Sequence, residues 1–356
     1  VGVALAWKAA RKGWGEPVAW AAAWIMALYP EAVLVGGAQL REPFLITFAV
    51  MVFWGAVNWS DNWRTSAAWM AGGIAGMLLF HPGSAVAAIV ITSVWIWIRE
   101  RGGWRARWWW IAGGGAAALL AIILFIGAVG GSLKVQSGPL QTLLNWIHDS
   151  AAWDAYLLVQ HSGWIQNVMS SLPESLHLPF IIGYGTSQPL LPAAIADPGV
   201  WPMRLLGILR GLGWYALLPF LVYSLRSIIK MTDRRERLAW LWLWLVTWAW
   251  IFLSAGRAGG DQWDNPRYRV ILMFFQAALA AQAFTWQRAT RDRWLWRILA
   301  VEGVFLALFG YWYISRKFDL GLSVPHIFTV LGAIAVISAA ILVGGWLWDR
   351  RLVKKG

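Results

Sequence analysis

Cysteine is absent from all 356 residues, which removes disulfides, thiolate metal sites and cysteine nucleophiles from the chemistry open to this chain. Charge is scarce too: Asp, Glu, Lys and Arg make up 13% of the sequence, against 59% hydrophobic residues. That balance excludes an ordinary soluble domain. Carboxylates are the scarcer sign, 17 Asp and Glu against 30 Lys and Arg, for a net charge of +13. A surplus of this kind can mark a nucleic-acid binder, but here the basic residues fall in short clusters between apolar runs. That is the pattern of membrane orientation, so no nucleic-acid partner is expected. No P-loop is present, and the GxG at Gly211 and Gly213 lies within an apolar run rather than after a strand, so nucleotide hydrolysis has no support. The chain has no internal repeat and no matching pair of Gly/Pro-broken spans, which weakens a transporter reading. The five histidines (His81, His148, His161, His177 and His326) lack any metal-ligand spacing. No signal-peptide pattern precedes Lys8, and Val1 to Trp7 reads as the last turns of a span, so an N-terminally truncated sequence is expected.

What is present is a succession of apolar runs long enough to cross a bilayer. The expectation is an all-α, polytopic helical membrane protein with about ten complete transmembrane helices plus a remnant of one more. The complete spans read as 18–38, 44–59, 65–80, 84–98, 108–129, 206–225, 239–254, 270–287, 297–314 and 327–348. Residues 1–130 and 206–356 form the two transmembrane parts, and 131–205 an extracytoplasmic loop with interfacial helices. In that loop Leu140, Leu143, Leu144 and Ile147 approach helical spacing around His148, Asp149 and Asp154. The prolines from Pro173 to Pro202 then suggest an ordered but irregular crossing. Most Lys and Arg collect on one side, as in Arg11 and Lys12, Arg105 and Arg107, Arg234 and Arg235, and Arg350 and Arg351. That side, with the C-terminus, is expected to be cytoplasmic, in the inner (plasma) membrane. The 31 tryptophans exceed the needs of interface girdles and say little about chemistry.

The stretch Gly259 to Arg269, GGDQWDNPRYR, is the strongest chemical signal because it sets two carboxylates and two guanidiniums between long apolar runs. Asn265 and Pro266 read as the N-cap and first turn of the next helix, aiming a helix N-terminus with Arg267 and Arg269 at an anion. The same residues also fit a solvated turn whose arginines reach lipid headgroups. On the same side lie Glu31, Arg41, Glu42, His81 and Arg257. Glu42 before Pro43 suits the first turn of a returning helix. Glu31, Glu42, Asp261 and Asp264 are candidate acid-base carboxylates, and Arg41, Arg257, Arg267 and Arg269 candidate contacts for a lipid-linked phosphate or pyrophosphate. His81 stands at a turn, either as a hydrogen-bonded structural residue or as part of that rim. Glu302, inside the ninth span, is a candidate functional carboxylate that can instead reach Arg297.

A basic turn, an outward helix reading LYPEAVLVGGAQL, then REP and a return helix resemble the third and fourth spans of the GT-C membrane glycosyltransferases. The nearest group is the family 39 or ArnT-like set that uses polyprenyl-phosphate sugars. GILRGLGWYALLPFLVYSLR, followed by NPRYR and an apolar span, resembles the C-terminal half of bacterial members, where an arginine-tyrosine pair precedes a late span. The resemblance implies an integral membrane enzyme that moves a sugar from a polyprenyl-phosphate donor to an acceptor on the extracytoplasmic side, among membrane lipids. It implies Glu42 as a second carboxylate or metal-proximal group and Arg267 and Arg269 as lipid-phosphate contacts, with Tyr268 between them a candidate substrate contact, and it permits a divalent cation. The family's principal catalytic carboxylate lies in a first outer loop that precedes Val1, so no residue here takes that role. An O-antigen polymerase or ligase, and a transporter or flippase of lipid-linked sugars, remain open beside this reading.

Overall fold

The computed structural model describes residues 1–99, 163–259, 261–318 and 325–353. The expected span 108–129, the amphipathic stretch around Leu140 to Asp154, and His148 and His161 lie outside them. Among the described residues every regular element is helical. The elements are α1 (Gly2–Trp14), α2 (Glu16–Leu28), α3 (Pro30–Gly37), α4 (Glu42–Val57), α5 (Trp63–Phe80) and α6 (Pro82–Arg99). There follow α7 (Gly163–Ser171), α8 (His177–Thr186), α9 (Leu191–Ile195), α10 (Trp201–Ile229), α11 (Arg234–Ala258) and α12 (Asp264–Arg269). The last three are α13 (Met273–Thr290), α14 (Trp294–Phe318) and α15 (Ile327–Val353).

Proline sets many of the helix starts. Pro17, Pro30, Pro43, Pro192 and Pro202 each stand in a first turn, where the missing N–H has no intrahelical partner to lose. Two other starts use side chains: Asn62 accepts from the Thr65 amide at 3.2 Å and Asp233 from the Arg235 amide at 2.8 Å.

Six described helices are long and apolar enough to cross a membrane: α6, α10, α11, α12 with α13, α14 and α15. The number rises to seven if α2 and α3 form one span. Of the ten expected, 108–129 lies outside the described residues, and three others do not form a single long apolar helix, for physical reasons. Residues 18–38 are not one straight helix, because Pro30 cannot donate to the residue four before it, and α2 and α3 meet at 56°. The run 44–59 becomes a helix of 16 residues, about 24 Å long and short for a bilayer core. The run 65–80 falls on α5, where Arg64, Thr65, Ser66 and three glycines dilute the apolar character.

The centre of the bundle is α13. Every residue from Met273 to Ala283 is buried, and α2, α4, α10 and α11 pack around it. Five alanines in that run bring neighbouring backbones close, as small residues do between membrane helices. The short α4 is fixed against α5 in the same way: a Cβ on Gly73 would stand 2.9 Å from the Phe48 carbonyl oxygen. By contrast α15 is almost wholly peripheral, with Val336, Val343 and Trp348 each more than half exposed.

Charges gather at the two ends. At one end, ion pairs join Lys12 to Asp61, Arg99 to Glu236, Arg226 to Asp292 and Arg297 to Asp349. These come from turns assigned to a single side by their basic residues. At the other end lie α3, the α5–α6 turn, α7 to α9 and the segment 258–269, which carry the candidate site.

Candidate functional site

The site is assembled by the bend at Pro30. Because α3 turns away from α2, Glu31 enters the bundle and meets Arg210, which projects from the first half of α10. Arg210 Nε donates to Glu31 Oε2 at 2.6 Å and Nη2 to Oε1 at 3.1 Å, with both side chains 2% exposed. Close approach needs Gly213, where a Cβ would lie 2.5 Å from Pro30 Cδ. The guanidinium also covers the Trp263 ring at 4.3 Å, tying α3 and α10 to the segment before α12. Two opposite charges buried in fork-to-fork contact satisfy each other in a medium that would tolerate neither alone.

Beside this pair is a second, less complete cluster. Glu42 opens α4, and its Oε1 lies 3.2 Å from Arg267 Nε and 3.8 Å from Arg41 Nε. Its Oε2 is buried without a hydrogen-bond partner among the described residues. Arg267 reaches in addition to Asp264 Oδ1, at 3.4 Å. Tyr268 lies between two cations, with Arg267 at 5.2 Å and Arg257 at 5.4 Å from its ring centre, and the Trp250 indole holds its carbonyl at 3.0 Å. Thus Glu42, Arg41, Arg267, Asp264, Tyr268 and Arg257 are brought together, from turns more than 200 residues apart in sequence.

His81 closes the rim. It is the residue before Pro82 in α6, and its Nδ1 accepts from the Ser84 amide at 3.0 Å, so the ring caps the helix. Burial, then Arg41 and Arg257, lower its pKa to about 4. At neutral pH the ring is therefore uncharged, with the proton on Nε2.

Three expectations are corrected here. Asn265 is not the N-cap of α12. That helix starts at Asp264, and Asp261 caps it by accepting from the Trp263 amide at 2.6 Å and the Asp264 amide at 2.7 Å. Asn265, fully buried, instead donates to the carbonyls of Gly185 and Gly259 at 2.8 and 2.9 Å. The Trp263 and Asp264 amides at this helix start are thus already bonded to a carboxylate of the chain itself. Arg269 also leaves the rim: it is 1% exposed and stacks on Trp214 at 3.3 Å, beside Tyr29 and Glu31. Its Nη1 and Nη2 make no hydrogen bond of good geometry among the described residues. Finally, Glu302 does not pair with Arg297. Asp349 accepts from both Nη atoms of Arg297 at 2.7 Å, and Glu302 Oε1 has no hydrogen-bond partner among the described residues.

Sequence reasoning missed Arg210, Trp214 and Tyr29. The signal that was available for Arg210 is a lone guanidinium inside an apolar helix facing another buried charge, Glu31, which in a low-dielectric setting implies mutual pairing.

The divalent cation that the resemblance permits has no ready ligand set among the described residues. Among the described residues no group of three or more His, Asp or Glu side chains is placed to hold a metal ion. At Glu42, the best-placed carboxylate, the groups beside Oε1 are the guanidiniums of Arg41 and Arg267. Fold and site together define an all-helical protein, with several helices suited to multiple membrane passes and a paired Glu/Arg cluster at one end. Compared with protein-family models, with curated proteins and with solved structures, the chain matches none.

Proposed function

We propose that this end of the bundle seats the phosphate of a polyprenyl-phosphate sugar and transfers the sugar to an acceptor hydroxyl, as the resemblance to GT-C glycosyltransferases implies. The observation that supports it is Glu42, whose Oε1 is shared by Arg41 and Arg267 while Oε2 has no hydrogen-bond partner among the described residues. In this reading the donor phosphate takes Arg267 from Glu42, exchanging one anion for another on the same guanidinium. The freed carboxylate then accepts the proton of the acceptor hydroxyl as its oxygen bonds to the anomeric carbon. The bond from that carbon to the phosphate oxygen breaks, and Arg267 and Arg257 stabilise the charge left on the lipid phosphate. Asp264 holds Arg267 in place, and Asp261 serves the backbone rather than the reaction. The orientation that goes with this places the site on the extracytoplasmic side and the Lys12, Arg99 and Arg226 end in the cytoplasm. With α2 and α3 as one pass, α4 and α5 bring the described passes to nine, and the tenth falls on 108–129, outside the described residues.

Membranes carrying the protein would be assayed for transfer from a panel of radiolabelled polyprenyl-phosphate sugars. Glu42→Gln and Arg267→Ala are each expected to lower transfer on the order of a hundredfold or more, while Asp261→Asn retains it. A folded, monodisperse parent that transfers no sugar from any donor removes the enzyme reading.

One observation favours movement of lipid-linked sugar without bond formation, namely Glu302 within α14, whose Oε1 is buried with no hydrogen-bond partner among the described residues. That reading requires labelled lipid to cross between leaflets and Glu302→Gln to stop it. Crossing that is unaffected by the substitution leaves it without support.

A further inference from the structure

At the end of the bundle away from the candidate site, α10, α14 and α15 enclose an open cavity of about 620 Å³. Its walls are Arg226 and Lys230 from the end of α10, Trp294 from the start of α14, and Trp346, Arg350 and Arg351 from the end of α15. The carboxylates near it are already committed. Asp292 accepts from Arg226 Nε at 2.6 Å. Asp349 accepts from both Nη atoms of Arg297 and from the Trp294 indole at 2.9 Å. The Arg297 guanidinium is pressed against α15, where a Cβ on Gly345 would stand 2.4 Å from its Nε. These contacts fix the two walls relative to each other.

Three cations are left over. Lys230, Arg350 and Arg351 are exposed, and none of them pairs with a carboxylate among the described residues. Arg350 is held at the cavity by stacking on Trp346 at 3.7 Å. Next to these charges runs an exposed apolar ridge on α15, with Leu347 at 47%, Val343 at 53% and Val336 at 69% exposure. A ligand that matches both features carries an anionic group at the end of the bundle and hydrocarbon along the helix. A free anion would use only the first feature.

From this we infer that the cavity is a binding site for the headgroup of an anionic phospholipid. Lys230, Arg350 and Arg351 contact the phosphodiester, and the acyl chains lie along the Val336, Val343 and Leu347 face of α15. The site is independent of the sugar-transfer proposal, because it stands at the opposite end of the molecule and shares no residue with it.

The test reconstitutes the whole protein into nanodiscs of phosphatidylcholine containing a small fraction of phosphatidylglycerol and counts retained lipids by native mass spectrometry. The parent is expected to retain phosphatidylglycerol in preference to phosphatidylcholine. The triple variant Lys230→Gln, Arg350→Gln, Arg351→Gln is expected to retain it on the order of a hundredfold less strongly, from about fivefold per lost charge near a membrane surface. The variant Arg234→Gln, Arg235→Gln removes two exposed charges at the same end but outside the cavity and should leave retention unchanged. All these side chains are exposed, so each variant is expected to stay monodisperse. Equal loss in both variants would reduce the effect to general surface charge and overturn the site. So would equal retention of the two lipids by the parent, or displacement of the bound lipid by millimolar inorganic phosphate.

Discussion

His81 shows what a single side chain contributes at the candidate rim. Its pKa falls from 6.5 to about 4 on folding, so the unfolded chain binds a proton there that the folded chain does not. Stability is then fully present above pH 6.5 and declines as the pH falls towards 4, by at most ~3 kcal/mol. His81→Asn keeps an acceptor for the Ser84 amide but cannot titrate. Thermal melts in detergent between pH 7.5 and 4.5 should show a smaller drop in midpoint for this variant than for the parent. An identical drop would mean that another group carries the acid sensitivity. The Arg210–Glu31 pair permits a second comparison. Arg210→Met alone strands a buried carboxylate and is expected to cost ~3–5 kcal/mol, whereas Arg210→Met with Glu31→Leu should recover most of that loss. Chemical unfolding midpoints of the two variants decide it, and a double variant as unstable as the single would show that the pair does not act as a unit. These two sites also differ in how visible they are to a reader of the sequence. Glu42 and Arg267 stand out because REP and NPRYR interrupt apolar runs. Arg210 does not, because its partner is 179 residues away and only the bend at Pro30 brings the two together.

At the scale of elements, the hydrophobic runs located helices well and described their shapes poorly. Runs of apolar residues give the position of α10, α11, α13, α14 and α15, since periodicity and length are local properties. The break between α2 and α3 and the shortness of α4 depend on proline placement and on close packing that no run reveals. The capping of α12 was misassigned for a similar reason: Asn265 has the right chemistry for a cap, but its Nδ2 donates to the carbonyls of Gly185 and Gly259, which holds the side chain inside the bundle and leaves Oδ1 without an amide to accept from among the described residues. Glycine contacts turn this into a prediction. Gly213→Ala forces a methyl group into Pro30 and should destabilise by ~1–3 kcal/mol through displacement of α3. Gly332→Ala in α15, where nothing lies within 4 Å of the added carbon, should be neutral or stabilise by up to ~1 kcal/mol. Melting temperatures of the two variants would be compared. Equal shifts would show that α3 is not held by contact with α10.

For the molecule as a whole, the governing feature is the separation of charge between its ends. The helix α10 alone, 29 residues long, covers about 44 Å at the usual helical rise, enough to pass the hydrocarbon core and both interfaces. Val200, just before it, is 69% exposed at the end that carries Glu42 and Arg267, and Thr232, just after it, is exposed at the end that carries Lys12 and Arg99. The absence of cysteine makes the orientation directly measurable, because any introduced thiol is the only one in the chain. In the proposed orientation the excess Lys and Arg near Thr232 put that end in the cytoplasm. In intact cells Val200→Cys is therefore expected to react with a membrane-impermeant maleimide, and Thr232→Cys only after the membrane is opened. The reverse pattern would put the Glu42 cluster in the cytoplasm, where a donor presented at the outer surface cannot reach it. Reaction of both thiols from outside would show that α10 does not cross at all, and the bundle would then need a different relation to the bilayer from the one its apolar helices suggest.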